Sequence, residues 1–579
     1  MYSWKKIFKS VLAHKKLFIT AQILALLAVL ASVPAPLLMP LLVDEVLLHK
    51  PGKLLAFIQE LFGNGSPFFY TLIVLAMTLL LRGIYISLGI LQSKIFHTIS
   101  KNITAQIRQD VLTHLKKVSM SEYEMLGSGK VASRLVSDIN TIDLFLSSSI
   151  SKLLVSVLTL VGVSIVLLLI HWQLALFILI LNPFVVLFSS RLAKKVSKLK
   201  KEENRAIEIF QNSLVETLEL FEQIRAANKE EYFFGRLMQL IKDLKNRSIA
   251  FSYKNDAGVR LSFLVFLSGF ELFRAAGIIT VAYSDLSIGL MMAIFGYLWV
   301  MMTPIQDIIN IQYAKRSADM ALKRINELFT LQKEPEFPAL KDPFAVSENV
   351  SITLEHVWFS YGEKKPVLKD ITATIAAGKI TALVGASGSG KTTLSRLLVG
   401  LYVPTKGDIF YNGVSMQEIG LKTIRQHVAL VLQTPILFND TVLFNLTLGK
   451  EYPEDKIKEA LQMAQIYKVI EALPQGLDTV VGKGGARLSG GEKQRIAIAR
   501  MILQDPKVVI LDESTSAIDM ETEKLLFCAL KDFLRKRTTI LIAHRPSTIE
   551  EADILLFLKD GEIVKKSRFE EYKRNFCIL

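Results

Sequence analysis

The sequence predicts two domains of different character: an α-helical membrane domain of six spans with long extensions beyond the membrane, then an α/β domain. Three observations carry this. Hydrophobic residues make up 51% of the 579 positions while 21% are charged, which a greasy half joined to an ordinary soluble half explains naturally. Long apolar stretches all lie before Thr330. After it, strand and helix signals alternate to the C-terminus.

A spanning helix needs about 20 mostly apolar residues. Six stretches qualify: 17–43, 67–93, 145–170, 172–192, 257–283 and 286–313. His171-Trp172-Gln173 divides the third from the fourth, and Ser284-Asp285-Leu286 the fifth from the sixth. Charged segments of about fifty and sixty residues follow the second and fourth spans. Residues 94–118 and 195–250 carry apolar positions at helical spacing with few Pro or Gly breaks, so the spans continue as helices. Two glycines within Ser121–Lys130 predict a turn there. Each hairpin should project on the order of 25 residues at 1.5 Å, nearly 40 Å.

A net charge of +15 fits either nucleic-acid binding or a membrane protein with basic inner loops. The positions decide. Lys5, Lys6, Lys9, Lys15 and Lys16 precede the first span, and the 94–144 and 191–256 segments are basic, with Lys194, Lys195, Lys198, Lys200 and Lys201. The two hairpin tips carry no Lys or Arg, and the first outer loop only Lys50 and Lys53. Both termini and both long segments are therefore placed in the cytoplasm, and no nucleic-acid partner is expected. The first apolar run is too long for a signal-peptide core and is read as a retained span. Two cysteines, Cys528 and Cys577, fall in the polar half and read as reduced thiols.

The membrane domain is assigned to 1–330. Pro335, Pro338 and Pro343 among charges mark 331–349 as a linker, and 350–579 as the α/β domain. Three strings there carry chemistry. Gly385-Ala386-Ser387-Gly388-Ser389-Gly390-Lys391-Thr392 follows the apolar strand Ile380–Val384 and opens a helix from Thr393. That is the P-loop pattern: backbone N–H groups and a helix N-terminus close on phosphate, Lys391 reaches the outer phosphates, and Thr392 ligates Mg²⁺. Val508-Val509-Ile510-Leu511-Asp512-Glu513 is a buried strand ending in two acids. Asp512 suits Mg²⁺, through water, and Glu513 suits polarising an attacking water. Leu488-Ser489-Gly490-Gly491-Glu492-Lys493-Gln494-Arg495 opens a helix whose first donors point outward and suit a γ-phosphate.

With these strings in this order, the chain resembles the ATP-binding cassette transporters, across essentially its whole length. The resemblance implies that Ser489, Gly490 and Gly491 face ATP held by a partner cassette. By the same resemblance Tyr361, in V-W-F-S-Y-G, stacks on adenine. Gln433 contacts Mg²⁺ and the attacking water, and Ser516-Ala517-Ile518-Asp519 crosses the dimer interface. His544 contacts the γ-phosphate as the switch histidine. Thr393 completes the ATP-binding set. Ser121–Asn140 and Thr217–Asn228 resemble the coupling segments of the exporter subfamily, and Pro304–Leu328 its last helix. Lys483 departs from the pattern, standing just before the signature where exporters commonly carry an acid, and the I-V-K-K-S-R-F-E-E-Y tail is more basic than usual.

The resemblance implies an ATP- and Mg²⁺-dependent exporter or flippase moving a lipid, glycolipid or drug, and the compact length without an organelle presequence points to a bacterial inner membrane. Glu513, His544 and an intact LSGG favour a homodimer over one subunit of a heterodimeric multidrug exporter. A peptide exporter with a protease leader domain is disfavoured because the chain starts almost at its first span. A soluble cassette ATPase, an ATP-gated channel and a non-enzymatic scaffold fit the motifs less well. Within the spans, Arg82, Glu271 and Arg274 are singled out as ionisable, with Glu271 and Arg274 spaced to pair on one helix face. Pro34, Pro36 and Pro40 should kink the first span.

Overall fold

The computed structural model describes residues 1–50, 52–362, 365–482, 485, 487–542 and 549–569. His544, Lys483 and Cys577 lie outside them. The chain divides into two compact units, Met1–Thr113 with Gly129–Thr330, and His114–Ser128 with Leu331–Leu579.

The first unit is helical. Among the described residues, five segments are long and apolar enough to cross a membrane: Lys15–Leu47, Pro67–Leu115, Ser128–Ile170, Glu230–Tyr283 and Ile288–Phe329. Four of the six predicted spans fall within them, and 286–313 begins two residues before the last. The other, 172–192, falls in helix Trp172–Glu219, where several side chains are outside the described set. We label its main helices α1 (Lys15–Ser32), α2 (Pro67–Leu115), α3 (Ile150–Ile170), α4 (Trp172–Glu219), α5 (Glu230–Tyr283) and α6 (Ile288–Phe329).

The predicted continuations beyond the spans are helical: α2 runs unbroken for 49 residues and α5 for 54. The second coupling candidate, Thr217–Asn228, coincides with a break. There α4 ends, Phe221–Ala226 forms a short helix, and Asn228 turns the chain with φ +51°. Helices α4 and α5 pack along each other, and α6 packs along α3.

The first span is interrupted as its prolines require. Helix α1 stops at Ser32, a tight turn covers Ala35–Leu37, and a wide helical turn follows over Leu41–Leu47. The interruption leaves the Val33 carbonyl to Tyr297, whose fully buried hydroxyl donates to it at 2.6 Å. At the end of that segment the buried Asp44 carboxylate accepts from the Ser287 hydroxyl at 2.5 Å and the Gly289 N–H at 2.9 Å, capping the start of α6.

The second unit contains two sheets. β1 (Ile352–Phe359), β2 (Leu368–Ile375), β4 (Lys406–Tyr411) and β5 (Val414–Ser415) form an antiparallel sheet in the order β2-β1-β4-β5. β3 (Ile380–Val384), β6 (Val428–Val431), β7 (Val508–Asp512), β8 (Thr538–Ile542), β9 (Ile554–Lys559) and β10 (Glu562–Arg568) form the other, ordered β10-β9-β3-β8-β7-β6. Strands β9, β3, β8, β7 and β6 pair in parallel, and β10 pairs antiparallel at the edge beside β9. Both faces are covered, which is why β7 reads as an unbroken apolar run. Val509 and Leu511 join one core, Val508 and Ile510 the other. The acids that follow thus emerge at the carboxyl end of a central strand, where open α/β sheets place their ligand sites.

Candidate nucleotide site and transport cavity

The loop 385–390 leaves β3 and enters helix α7 (Lys391–Leu398). Its glycines are dictated by space and dihedral angle. A Cβ on Gly385 would meet the Leu558 carbonyl oxygen at 2.1 Å, and Gly390 sits at φ +106°. Ala386, Ser387 and Gly388 are exposed on the loop's lip, while the buried Ser389 hydroxyl has no hydrogen-bond partner among the described residues. Lys391 is nearly fully buried and its ammonium donates to the carbonyls of Gly385 and Ala386 at 2.8 and 2.9 Å. Burial pulls the Lys391 pKa down, opposed by the nearby Glu513 and Asp512 charges. A cradle of exposed amides with an orphaned hydroxyl and a desolvated cation suits a polyphosphate.

Five predicted residues gather here. Thr392 lies beside Asp512 and favours its charged form, and Gln433 donates through its side-chain amide to Glu513 at 2.6 Å. Asp512 is buried, which pushes its carboxyl above the usual range. The neighbouring Thr392 hydroxyl opposes that shift and the Glu513 charge adds to it. Glu513 follows β7 in left-handed backbone at φ +45°, a strained conformation that turns its carboxylate out of the strand direction. Among the described residues no three His, Cys, Asp or Glu side chains cluster as a metal cage. A hydroxyl, one carboxylate and an amide oxygen are hard donors that fit Mg²⁺, which keeps water and phosphate oxygens for its remaining positions.

Tyr361 lies beside the same helix. Its hydroxyl is 3.1 Å from the Thr393 hydroxyl, and its ring packs edge-on against Phe359 and Tyr402. The signature string stands elsewhere, opening α8 (Gly490–Gln504). Ser489 caps that helix in a reciprocal pair with Glu492: its hydroxyl accepts from the Glu492 N–H and its own N–H donates to the Glu492 carboxylate. Ser489 and Gly490 are exposed, and the serine O–H is left to donate outward. Asp519 caps α9 (Met520–Arg535) by accepting from the Thr522 N–H at 2.9 Å.

Gln494, which the sequence reading passed over as a site residue, ties three of these segments together. This buried side chain donates to the Gln433 carbonyl and the Ser516 hydroxyl and accepts from the Ala517 N–H. Its place in the signature string was the available signal.

The known proteins now bear on this geometry. Residues 368–516 match the family profile described as ABC transporter, and residues 18–305 the one described as ABC transporter transmembrane region. An ATP-dependent lipid A-core flippase of Photorhabdus laumondii is 31% identical over 529 residues, covering 88% of this chain and 87% of that protein. The chain belongs to the ABC transporter family. A flippase of the same name from Burkholderia pseudomallei is 30% identical over 476 residues, covering 82% and 79% of the two chains. The solved structure of a bacterial Atm1-family ABC exporter with ATP bound shares the fold, with a TM-score of 0.79 at 24% identity, covering 97% of this chain and 96% of that one. This ABC exporter half-transporter is a multi-pass membrane protein that binds ATP and couples its hydrolysis to transport.

The exporter's membrane unit holds a cavity of about 1140 Å³, lined mainly by apolar side chains and by Arg82, Lys152 and Asp307. Lys152 and Asp307 both fall inside predicted spans, so counting every charge there would have found them. They stand 3.7 Å apart. Glu271 and Arg274 pair with each other at 2.5 Å as their spacing allowed, and neither lines the cavity.

Proposed function

We propose that two copies of this chain form a lipid exporter in a bacterial inner membrane, with both termini and the cassettes in the cytoplasm. Each Mg·ATP is held between the P-loop of one copy and Ser489, Gly490, Gly491 and Asp519 of the other. The observation that carries this is the separation of donors. Lys391, Thr392, Gln433, Asp512 and Glu513 assemble in one place, while the outward-pointing Ser489 turn remains exposed.

When bound, Mg²⁺ supplies positive charge to the β- and γ-phosphate oxygens, held by Thr392, Asp512 and Gln433. Lys391 binds the outer phosphates, Tyr361 stacks on the base, and Glu513, oriented by Gln433, takes the proton of the attacking water. His544 is assigned to the γ-phosphate. Closure of two cassettes then moves the segments at 121–140 and 217–228 and changes access to the cavity. The domain division at 1–330, 331–349 and 350–579 follows the same scheme.

A lipid cargo is supported by the names of the flippase relatives and by the largely apolar cavity. The test uses purified protein in vesicles. ATP-dependent movement of a labelled lipid between leaflets, with ATP turnover rising more than linearly with protein concentration before assembly saturates, is expected. Turnover by monomers, or ATP hydrolysis with no lipid movement for any lipid tried, overturns the reading.

A further inference from the structure

The cavity has a polar floor at one level. Ser100 donates to Asp143 at 2.7 Å and Lys101 pairs with Asp143 at 2.6 Å, which sets α2 level with the helix leading into α3. Those helices run in opposite directions. Eight residues before Ser100 lies Gln92 and eight after Asp143 lies Ser151, each displaced by about 12 Å toward the spans. Ser147 and Lys152 flank Ser151, and the Lys152–Asp307 pair brings α6 to the same level. Gln92, Ser147, Lys152 and Asp307 all line the cavity.

Two of these groups are orphaned. Gln92 is 3% exposed and Ser147 1%, yet the Gln92 amide nitrogen and the Ser147 hydroxyl have no hydrogen-bond partner among the described residues. Burying a donor unpaired costs about 1–3 kcal/mol, which a ligand acceptor would relieve. Lys152, more than half exposed, and Asp307 stand at ion-pair rather than hydrogen-bond distance, so each retains capacity for another partner. Their formal charges cancel: one positive, one negative. A ligand of large net charge seated on this floor would leave that charge unbalanced.

Resting on the lipid-export reading, we infer that this floor binds a zwitterionic lipid headgroup with one phosphate-type anion and one amine. The anion accepts from Gln92, Ser147 and Lys152, and the amine donates to Asp307. A headgroup bearing two phosphates sets surplus negative charge against Asp307. Arg82 lies ten residues before Gln92 on the same helix, about 15 Å away, too far to share one headgroup.

The test compares full-length protein in vesicles of neutral phosphatidylcholine doped with phosphatidylethanolamine, phosphatidylglycerol or bisphosphorylated lipid A. It reads both ATP turnover and leaflet-to-leaflet movement. Phosphatidylethanolamine is expected to be moved fastest and to give half-maximal stimulation at the lowest content. Asp307→Asn should shift the preference toward phosphatidylglycerol by about tenfold, the scale of one close charge pair. The double exchange Lys152→Asp with Asp307→Lys should recover the wild-type order, which distinguishes headgroup reading from damage to the fold. Best stimulation by bisphosphorylated lipid A, or an order that Asp307→Asn leaves unchanged, overturns this inference alone. Movement of none of the lipids overturns the export reading with it.

Discussion

The phenol of Tyr402 donates a 2.6 Å hydrogen bond to Glu124, a residue 278 positions earlier in the chain. Glu124 sits on the short helix Met120–Leu126, in the first coupling candidate, and also lies 3.6 Å from Arg396 of the P-loop helix. Tyr402 packs edge-on against Tyr361, the adenine-stacking candidate. A segment that follows a membrane helix therefore touches two groups that shape the nucleotide site. Burial and the Glu124 hydrogen bond both push the Tyr402 pKa well above a phenol's usual value, so the donor stays protonated at any working pH.

Glu124→Ala should accordingly weaken nucleotide binding several-fold and lower the melting temperature by the equivalent of about 1 kcal/mol, since Tyr402 loses its acceptor and Arg396 its ion-pair partner. Glu124→Gln keeps an oxygen for the phenol and should retain most of both. Nucleotide titration and thermal unfolding check the pair. Equal behaviour of the two variants would deny the hydrogen bond any role.

Glu513→Gln preserves an oxygen for the Gln433 amide but cannot accept a proton. Nucleotide binding should survive while phosphate release falls by about 10²–10⁴-fold, the usual worth of a general base. Turnover at the wild-type rate would remove Glu513 from the chemistry.

Asp512 carries a pH signature. Its folded pKa is raised above its ordinary value, so folding favours the protonated form. Its contribution is therefore lost as pH rises from the ordinary carboxylate value through the raised one, and at pH 7 the bare carboxylate destabilises the nucleotide-free fold. Asp512→Asn should melt higher than wild type at pH 7 without nucleotide, gain little on adding Mg·ATP, and show a smaller pH dependence of melting between pH 4 and neutrality. A lower melting point for Asp512→Asn in the nucleotide-free state refutes this sign.

Tyr297→Phe removes the only polar atom of a fully buried side chain and leaves the Val33 carbonyl, freed by the proline interruption, without its donor. The expected loss is about 1–3 kcal/mol, read as a lower melting temperature in detergent. Neutral behaviour would mean that another donor serves that carbonyl.

Much of this was legible from residue order because it is local. The spans appear as runs about a membrane thick, and the P-loop follows its strand and opens its helix within a dozen residues. Asp512 and Glu513 terminate an apolar strand whose two faces are both covered. The break at 217–228 was not legible as a change of periodicity; only the family resemblance marked that segment, where α4 ends and a short helix and turn precede α5. Other features needed packing. No spacing rule links Glu124 to Tyr402, or Gln494 at once to Gln433, Ser516 and Ala517, because such contacts join segments far apart in sequence. Likewise Lys152 and Asp307 could be counted as charges within spans, but no spacing rule says that they meet. Sequence alone determined the ordered family motifs and which stretches are long and apolar enough to cross a membrane, since hydrophobic length and backbone geometry act over neighbouring residues. Only the tertiary structure decided which lone charges and donors share one floor, since charge balance in a cavity depends on distance in space.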